Sequence, residues 1–385
     1  MTVSRLRNIP GIGVDQVGNA ADALHDPDIL RLENLDTDLR PPADALRRTH
    51  AAIDDDAANS YLPFLGIGSL RQAAAERVGR AARTRYDAVS ECIVSAGGLA
   101  GIFNVLLSIL EPGDEVVLTA PTYAGLINRV RLAGGVCRFA PLVAGADGWR
   151  LDLEQLRAAI GPRTKALLLM SPSMPTGHVF SLEEWQAVAT HCERTGAWLV
   201  YDAAMERILF DGREVLHPAA LPGMRERTVT VGAVSKEYRM IGWRVGWIVG
   251  PAALMNDVRL TSLSNVVCQV GIAMSGAAAA LTAADDGVGA AVDTWQHRRD
   301  VLMSSLADLP IVRPHGGWSL LIDTRALGLE PQDASARLLA RGKVAATAMA
   351  GWGPGAERYL RFVYANEPAA RLADLRERIR RAWQL

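Results

Sequence analysis

The chain has 385 residues, of which 49% are hydrophobic and 22% charged, a balance that excludes disorder and predicts a large buried core. Its formal net charge is −1, and the basic residues form no long run, so we expect neither nucleic acid nor an anionic membrane as a partner. A small molecule is the expected ligand. Lysine occurs at three positions only, Lys165, Lys236 and Lys343, and arginine supplies the other basic residues.

The sequence predicts neither export nor membrane insertion. Residues Met1 to Pro10 include arginines but lack the apolar centre of a signal peptide. The stretch from Gly271 to Ala284 is too short to span a bilayer and predicts a buried helix. The four cysteines are widely spaced, at Cys92, Cys137, Cys192 and Cys268. Without a Cys-x-x-Cys pair they indicate reduced thiols in a cytoplasmic protein, with disulfide or zinc use as the alternative.

Between about residues 90 and 250, short apolar runs alternate with helix-length amphipathic stretches, which predicts a mostly parallel sheet with crossover helices. The predicted strands are Cys92 to Ser95, Glu115 to Thr119, Ala166 to Met170, Trp198 to Tyr201, Thr228 to Gly232 and Val245 to Val249. Glycines, prolines or reactive side chains follow the first five. Open α/β sheets bind ligands at the carboxyl ends of their strands, so we expect the site there.

Beyond residue 285 the pattern changes to a long polar helix from Val292 to Leu309, a turn at Pro314 to Gly317, two short strands and a terminal helix from Pro368. We therefore predict a large domain over residues 46–285 and a small α+β domain over residues 286–385. Four prolines interrupt the first 45 residues, which cannot form a core alone. We expect residues 1–45 to be an arm that packs with the small domain.

Lys236 lies shortly after the predicted strand Thr228 to Gly232 and just before the apolar segment Met240 to Trp243. Partial burial in such a setting lowers the pKa of an ammonium group and makes the amine a nucleophile able to form a Schiff base. The alternative is a surface lysine whose stem covers apolar neighbours while its charge stays in water. The scarcity of lysine in the chain favours the reactive interpretation.

Asp202 ends the apolar run from Ala197 to Tyr201 with no basic neighbour in sequence. A buried carboxylate needs a partner, and a protonated pyridine nitrogen would be one, while a helix N-cap is the alternative role. Gly97 and Gly98 separate a predicted strand from a helix beginning near Leu99. They suit a nest of backbone amides that binds phosphate, although glycine turns without a ligand are common.

Two arginines stand in apolar strands. Arg244 begins the run Val245 to Val249, where a planar guanidinium could clamp a phosphate. Arg361 lies inside Tyr359 to Val363 and needs an anionic partner if it is buried. For either residue alone, a structural salt bridge is the alternative explanation.

Taken together, these motifs resemble the class I/II aminotransferases of fold-type I, the pyridoxal-phosphate enzymes related to aspartate aminotransferase. Ser235 to Gly246 is similar to the Schiff-base motif of the family, Asp202 to Met205 to its Asp-Glu-Ala-Tyr segment, and Ser171 to Gly177 to its Asn-Pro-x-Asn-Pro-Thr-Gly loop. The resemblance covers nearly the whole chain. It implies an α/β fold with a large cofactor-binding domain around a mostly parallel seven-stranded sheet and a smaller α+β domain.

The resemblance also assigns residues to pyridoxal phosphate. Lys236 would form the Schiff base, Asp202 would pair with the pyridine nitrogen, and Tyr123 would stack on the ring. The phosphate would be held by Gly97, Gly98, Leu99, Ser235 and Arg244. Tyr61 is similar to the tyrosine that reaches the phosphate of the neighbouring subunit, which implies a homodimer with shared active sites.

Arg361 matches the arginine that binds the substrate α-carboxylate. The resemblance therefore implies an aminotransferase that acts on a small α-amino acid and a keto acid, with Lys236 removing the proton from Cα. No second arginine is apparent that would bind the side-chain carboxylate of a substrate, so aspartate specificity is not expected.

The sequence departs from the family pattern at the predicted pocket. Met174 and Met205 replace the asparagine and tyrosine that in the family hydrogen-bond the phenolate oxygen of the cofactor. Ala233 replaces a phosphate-binding serine, and Leu35 stands where relatives usually carry glycine near the substrate. A leucine there would narrow the site or favour an apolar or unusually shaped substrate.

Two alternative functions remain open on the sequence alone. The paired methionines could divert a pyridoxal-phosphate enzyme towards β- or γ-elimination, replacement or oxidation, or other contacts could replace the lost ones so that transamination continues. A non-catalytic cofactor-binding protein is the second alternative, and the presence of Lys236, Asp202 and Arg361 argues against it.

Overall fold

A computed structural model describes residues 3, 6, 7, 9 and 11–385. Most of the segment Met1 to Pro10, interpreted above as free of an export signal, lies outside the described residues. The helices are α1 (Val14–Ala23), α2 (Ala43–Ile53), α3 (Gly68–Ala81), α4 (Gly98–Ile109), α5 (Ala124–Leu132), α6 (Leu153–Ala159), α7 (Leu182–Thr195), α8 (Ala252–Asn265), α9 (Gly271–Thr282), α10 (Val288–Ser305), α11 (Pro331–Arg337), α12 (Ala369–Ala373) and α13 (Leu375–Trp383).

The strands divide between one large sheet and two small ones. They are β1 (Leu30–Arg31), β2 (Cys92–Ser95), β3 (Glu115–Ala120), β4 (Val136–Gly145), β5 (Gly148–Leu151), β6 (Thr164–Met170), β7 (Trp198–Asp202), β8 (Thr228–Ala233), β9 (Gly246–Val249), β10 (Ser319–Asp323), β11 (Val344–Ala345), β12 (Thr347–Ala348) and β13 (Tyr359–Val363).

The large sheet, within residues 11–385, has eight strands in the order β2-β9-β8-β7-β6-β3-β4-β5. The pairs from β8 to β4 are parallel, whereas β9 runs antiparallel to both of its neighbours, and β5 forms an antiparallel hairpin with the end of β4. The mostly parallel α/β sheet is therefore confirmed. The hairpin strand β5 adds an eighth member to the seven expected strands.

All six predicted strands are present, with ends that differ by at most two residues. The strand β4 was not predicted, because only Ala140 and Leu142 are buried among its ten residues, which also include Pro141. Central parallel strands are covered on both faces and have continuous apolar runs, whereas a strand nearer the edge of the sheet does not.

The central strands bury both faces because successive side chains point in opposite directions. In β3, Val116 and Leu118 face the cluster beneath α4, α5 and α8, while Val117 faces the opposite cluster. In β6, Leu168 joins the first cluster and Leu167 the second. Helices therefore cover both sides of the sheet, as a parallel sheet requires.

The C-terminal elements form the two small sheets. One has the order β10-β13-β12, and the other is a parallel pair of β1 with β11, in which Leu30 is aligned with Val344. The early segment of the chain therefore contacts C-terminal strands. The polar helix predicted over Val292 to Leu309 begins and ends about four residues earlier, because Gly287 adopts a left-handed conformation with φ 67° and ends the preceding loop.

The predicted buried helix near residue 271 is α9, which packs against α2 and α3. Among the described residues, no helix combines the length and hydropathy needed to cross a bilayer. All four cysteines are free thiols.

Candidate active site

A cavity of about 250 Å³ opens where the carboxyl ends of the central strands meet the C-terminal elements. Predicted site residues that line it are Leu35, Leu99, Tyr123, Met174, Asp202, Met205, Lys236 and Arg361. They come from turns after parallel strands, from the segment before α2 and from β13. The parallel strands bring their carboxyl ends to one edge, so residues more than 100 positions apart share one cavity.

Lys236 follows β8 in a tight turn and points into this cavity. Its Nζ donates a hydrogen bond to the carbonyl oxygen of Leu35 at 2.6 Å and lies 5.1 Å from the ring centre of Trp318. Burial lowers the pKa of the Lys236 ammonium to about 8, and the Asp36 carboxylate opposes that shift. The amine is therefore more available near neutral pH than that of a surface lysine.

Asp202 is the last residue of β7 and is 6% exposed. One carboxylate oxygen accepts a hydrogen bond from the backbone amide of Ala204 at 3.1 Å. Burial raises the pKa of Asp202 to about 6, although Arg129 and Lys236 partly oppose the shift. A turn, and not a helix, follows this residue, so the helix N-cap alternative does not describe its setting.

Gly97, Gly98 and Arg244 lie close together at the start of α4. Gly97 has φ 83°, and a Cβ placed on it would lie 2.6 Å from Nη2 of Arg244. A Cβ on Gly246 would lie 2.8 Å from the amide nitrogen of Gly98. The first amides of a helix have no partner within that helix, so amides and a guanidinium converge here on a space suited to an anion.

Arg244 has a left-handed backbone with φ 54°, which is uncommon for a residue with a side chain. Its Nη1 donates to the carbonyl oxygen of Ile241 at 2.8 Å, and in the described part of the chain it forms no salt bridge. The structural ion pair considered from the sequence is therefore not seen. Ser235, immediately before Lys236, is buried in the same turn.

Arg361 is only 1% exposed on β13. Its Nη1 lies 3.7 Å from the sulfur of Met174, its Nη2 donates to the carbonyl oxygen of Glu33, and its Nε has no partner among the described residues. Burial lowers the pKa of Arg361 to about 10. Glu33 lies near enough to favour the charged form, but within residues 11–385 Arg361 forms no salt bridge, so the buried guanidinium is suited to an anionic ligand.

The remaining wall is mostly apolar and aromatic. Met174 and Met205 are buried, and Tyr123 packs edge-to-face on Trp352 with ring centres 5.5 Å apart. Leu35 faces the cavity and also supplies the carbonyl that accepts from Lys236.

Sequence reasoning did not identify several lining residues, chiefly Ile12, Val14, Asn34, Asp36 and Ile241. Most of them belong to the early segment, which carries no recognisable motif. The position of Asp36 next to Leu35 was the available signal. Tyr61, in contrast, lies outside the cavity and is 80% exposed, with its ring 6.3 Å from that of Phe64.

The donor set fits pyridoxal phosphate. Lys236 is a buried amine with a lowered pKa, Asp202 is a buried carboxylate without an ion-pair partner in the described chain, and a glycine-lined cradle faces Arg244. An amine, an acid for a pyridine nitrogen and a phosphate site are the three features that this cofactor requires.

Comparison with known proteins gives a consistent result. The model of the family "Aminotransferase class I and II" matches residues 30–379. Arginine–pyruvate transaminase of Pseudomonas aeruginosa is 35% identical over 364 residues, covering 92% of this chain and 89% of the relative. A probable aspartate/prephenate aminotransferase of Thermus aquaticus is 34% identical, with 73% and 74% covered.

Solved structures agree with the fold. N-succinyldiaminopimelate aminotransferase from Mycobacterium tuberculosis superposes with a TM-score of 0.91 at 30% identity, covering 98% of this chain and 99% of the other. Aspartate aminotransferase from Thermus thermophilus with maleate superposes with a TM-score of 0.90 at 29% identity, covering 99% of each. The chain therefore belongs to the class I and II aminotransferases and is a pyridoxal-phosphate-dependent transaminase.

Proposed function

We propose that this transaminase acts on α-amino acids with Lys236 as its reactive amine. Asp202 pairs with the cofactor ring nitrogen, and Arg361 binds the α-carboxylate of the substrate. The observation that carries this assignment is that one cavity holds all three side chains while each lacks an ion-pair partner in the described chain. Such charges are costly to bury and are retained where a ligand compensates them.

When bound, pyridoxal phosphate supplies an electron-poor ring that accepts the electron pair left when a Cα–H bond breaks. Arg361 binds the α-carboxylate through its paired N–H groups and orients Cα. Lys236 Nζ, once free, takes the proton from Cα, and its lowered pKa keeps a useful fraction unprotonated. The resulting ammonium holds that proton close to the reacting atoms.

Asp202 keeps the cofactor ring nitrogen protonated by accepting its hydrogen bond. Its pKa, raised to about 6 by burial, falls when a cation sits beside it, so the pair forms readily at neutral pH. The amides of Gly97, Gly98 and Leu99, with Ser235 and Arg244, would hold the phosphate, and Tyr123 would stack on the ring. Met174 and Met205 contribute an apolar wall and no strong hydrogen-bond donor.

We propose domain limits of 1–45, 46–285 and 286–385, with the first segment packed on the third. The pairing of β1 with β11 and the hydrogen bond from Trp352 Nε1 to the carbonyl oxygen of Ile12 support this division. The early segment and β13 then close the substrate side of the cavity, while the large domain supplies the cofactor side.

We also propose a homodimer in which Tyr61 enters the partner's site and contacts the cofactor phosphate. Tyr61 is exposed, and Phe64, Val267 and Val270 are half-exposed. Exposed apolar side chains of this kind support a contact with a second subunit. A cytoplasmic location is proposed from the four free thiols, of which Cys92 and Cys192 have pKa values raised to about 12 by burial. A role in amino-acid metabolism and biosynthesis is proposed from membership of the aminotransferase family.

The test uses protein purified with pyridoxal phosphate and a panel of amino acids with pyruvate or 2-oxoglutarate. Transamination forms a 2-oxo acid from the donor and alanine or glutamate from the acceptor, in equal amounts, measured by mass spectrometry. Borohydride reduction followed by peptide mapping is expected to place the cofactor on Lys236. Product formation without alanine or glutamate would instead support elimination or oxidation, the outcome that the paired methionines left open.

A further inference from the structure

Two acidic and two basic side chains line the cavity: Asp36, Asp202, Lys236 and Arg361. The proposed function gives Asp202 to the cofactor nitrogen, Lys236 to the cofactor carbon and Arg361 to the substrate carboxylate. Asp36 alone is left without a partner. It forms no salt bridge in the part of the chain that the structure describes.

The Asp36 carboxylate is held in place but is not neutralised. Its Oδ1 accepts a hydrogen bond from the amide of Thr37 at 2.7 Å, and its own amide donates to the carbonyl oxygen of Asn34 at 2.8 Å. The Thr37 hydroxyl in turn accepts from Trp295 Nε1 at 3.1 Å, which anchors the segment on α10. The second carboxylate oxygen has no hydrogen-bond partner within residues 11–385.

Asp36 is electrically coupled to the reaction centre. Among the charged groups, it is the strongest influence favouring the Lys236 ammonium, ahead of Asp202. Lys236 nevertheless forms no ion pair with Asp36 among the described residues, because its Nζ donates to the Leu35 carbonyl oxygen. A substrate that closes the cavity with a neutral side chain would leave the half-buried Asp36 carboxylate without a salt bridge.

The walls beside Asp36 are suited to a hydrocarbon stem. Leu35 precedes it, and Ile12, Val14 and Ile241 also face the cavity. Long cationic side chains lay their methylene groups on such surfaces and carry the charge at the end. Arg361 is the only arginine lining the cavity within the described part of one chain, so nothing there compensates a second substrate carboxylate.

We propose that Asp36 pairs with a cationic side-chain terminus of the amino donor, so that this transaminase prefers α-amino acids ending in a guanidinium or ammonium group. The inference rests on the proposed function and names the substrate class of the same site. A charge-assisted hydrogen bond in a partly desolvated cavity discriminates by about 10- to 100-fold against a neutral isostere.

The test compares arginine with citrulline, which has nearly the same shape and no charge, using the cofactor-loaded enzyme and pyruvate. We expect wild-type kcat/KM to be at least about 10-fold higher for arginine. In Asp36→Asn the arginine-to-citrulline ratio is expected to fall below about 3. Lysine and norleucine form a second matched pair, which distinguishes a general preference for cations from recognition of guanidinium alone.

Asp333→Asn is the matched control, because Asp333 is an exposed aspartate on α11 outside the cavity, and its ratio is expected to equal that of the wild type. Asp36→Glu retains the charge and is expected to keep an arginine-to-citrulline ratio above about 3. Comparison with Asp36→Asn therefore separates loss of the charge from a folding defect caused by substitution at this position. Circular dichroism and cofactor content check each variant.

Two results would overturn the proposal: a wild-type ratio below about 3 for both substrate pairs, or an arginine-to-citrulline ratio that is unchanged in Asp36→Asn, whether neither kcat/KM falls or both fall equally. Equal losses for arginine and citrulline would mean that Asp36 only tunes Lys236. Failure of the proposed function is distinct, because then no amino acid in the panel, charged or neutral, would yield a 2-oxo acid with matching alanine.

Discussion

Lys236 and Glu237 are consecutive, yet their side chains enter two buried charged regions with opposite balance. Lys236 faces a cavity in which it forms no ion pair, and its strongest contact is a carbonyl oxygen. Glu237 faces two guanidinium groups, with Arg77 Nη2 at 2.6 Å and Arg207 Nε at 2.9 Å, and its other oxygen accepts from the Arg207 amide at 2.8 Å.

The difference separates charges to which we assign a function from charges that stabilise the structure. In the region around Glu237, each charged group has an opposite charge within reach, and Arg207 extends the network to Asp286 at 2.6 Å. In the cavity, Lys236, Asp202 and Arg361 all have pKa values moved towards their neutral forms by burial. Uncompensated buried charges favour ligand binding, whereas paired ones fix the turn that carries Lys236.

The largest expected effect comes from Lys236→Ala. Loss of both the covalent attachment and the base is expected to lower kcat/KM by about 10⁴-fold or more, since a general base alone contributes about 10²- to 10⁴-fold. Steady-state assays with the best donor of the panel measure it. Thermal unfolding of the cofactor-free variant is expected to match or exceed that of the wild type, and a large loss of stability would show that Lys236 is structural.

Arg361→Gln tests the substrate end of the cavity. Removing the guanidinium leaves the α-carboxylate without its charged partner, and kcat/KM is expected to fall by about 10²-fold, mainly through KM. The control is cofactor affinity by equilibrium dialysis, which should change little. Unchanged kcat/KM would contradict the assignment of Arg361 to the carboxylate.

Glu237→Gln tests the compensated region. The change leaves Arg77 and Arg207 buried without their shared carboxylate and is expected to lower the free energy of unfolding by about 3–5 kcal/mol. Urea denaturation measures this loss. Glu377→Gln, which removes an exposed partner of Arg380 on α13, is the control and should leave the unfolding midpoint unchanged. Equal losses of unfolding free energy in the two variants would contradict the structural role assigned to the ion pairs of Glu237.

A pH titration sharpens the contrast further. The pKa of Lys236 is about 8 in the folded cofactor-free protein and 10.5 in the unfolded chain, so the unfolded state binds more protons between those values. Stability relative to Lys236→Met is therefore expected to rise with pH from 8 to 10.5, by at most about 1.4 kcal/mol per pH unit. Denaturation at several pH values measures the difference, and a flat profile would mean that the amine is solvated.

The position of the motif residues at strand ends could be predicted because it depends on their local sequence. Asp202 and Lys236 follow apolar strands, and a central parallel strand places whatever follows it at the same edge of the sheet. The contact of Lys236 with the Leu35 carbonyl joins residues 201 positions apart, and no periodic pattern in the sequence predicts it. Asp36 was missed for the same reason, since a lone aspartate in a loop resembles a solvated surface charge.

The parallel α/β architecture and the aminotransferase family followed from the sequence alone, which also predicts Lys236 as the reactive lysine. Buried strands and strand-end motifs are local patterns, so they can be read without the rest of the chain. Tertiary structure decided which charges are compensated, because that depends on partners distant in sequence. Glu237 gained two arginines from other segments, whereas Lys236, Arg361 and Asp36 were left facing a cavity where substrate and cofactor can supply their partners.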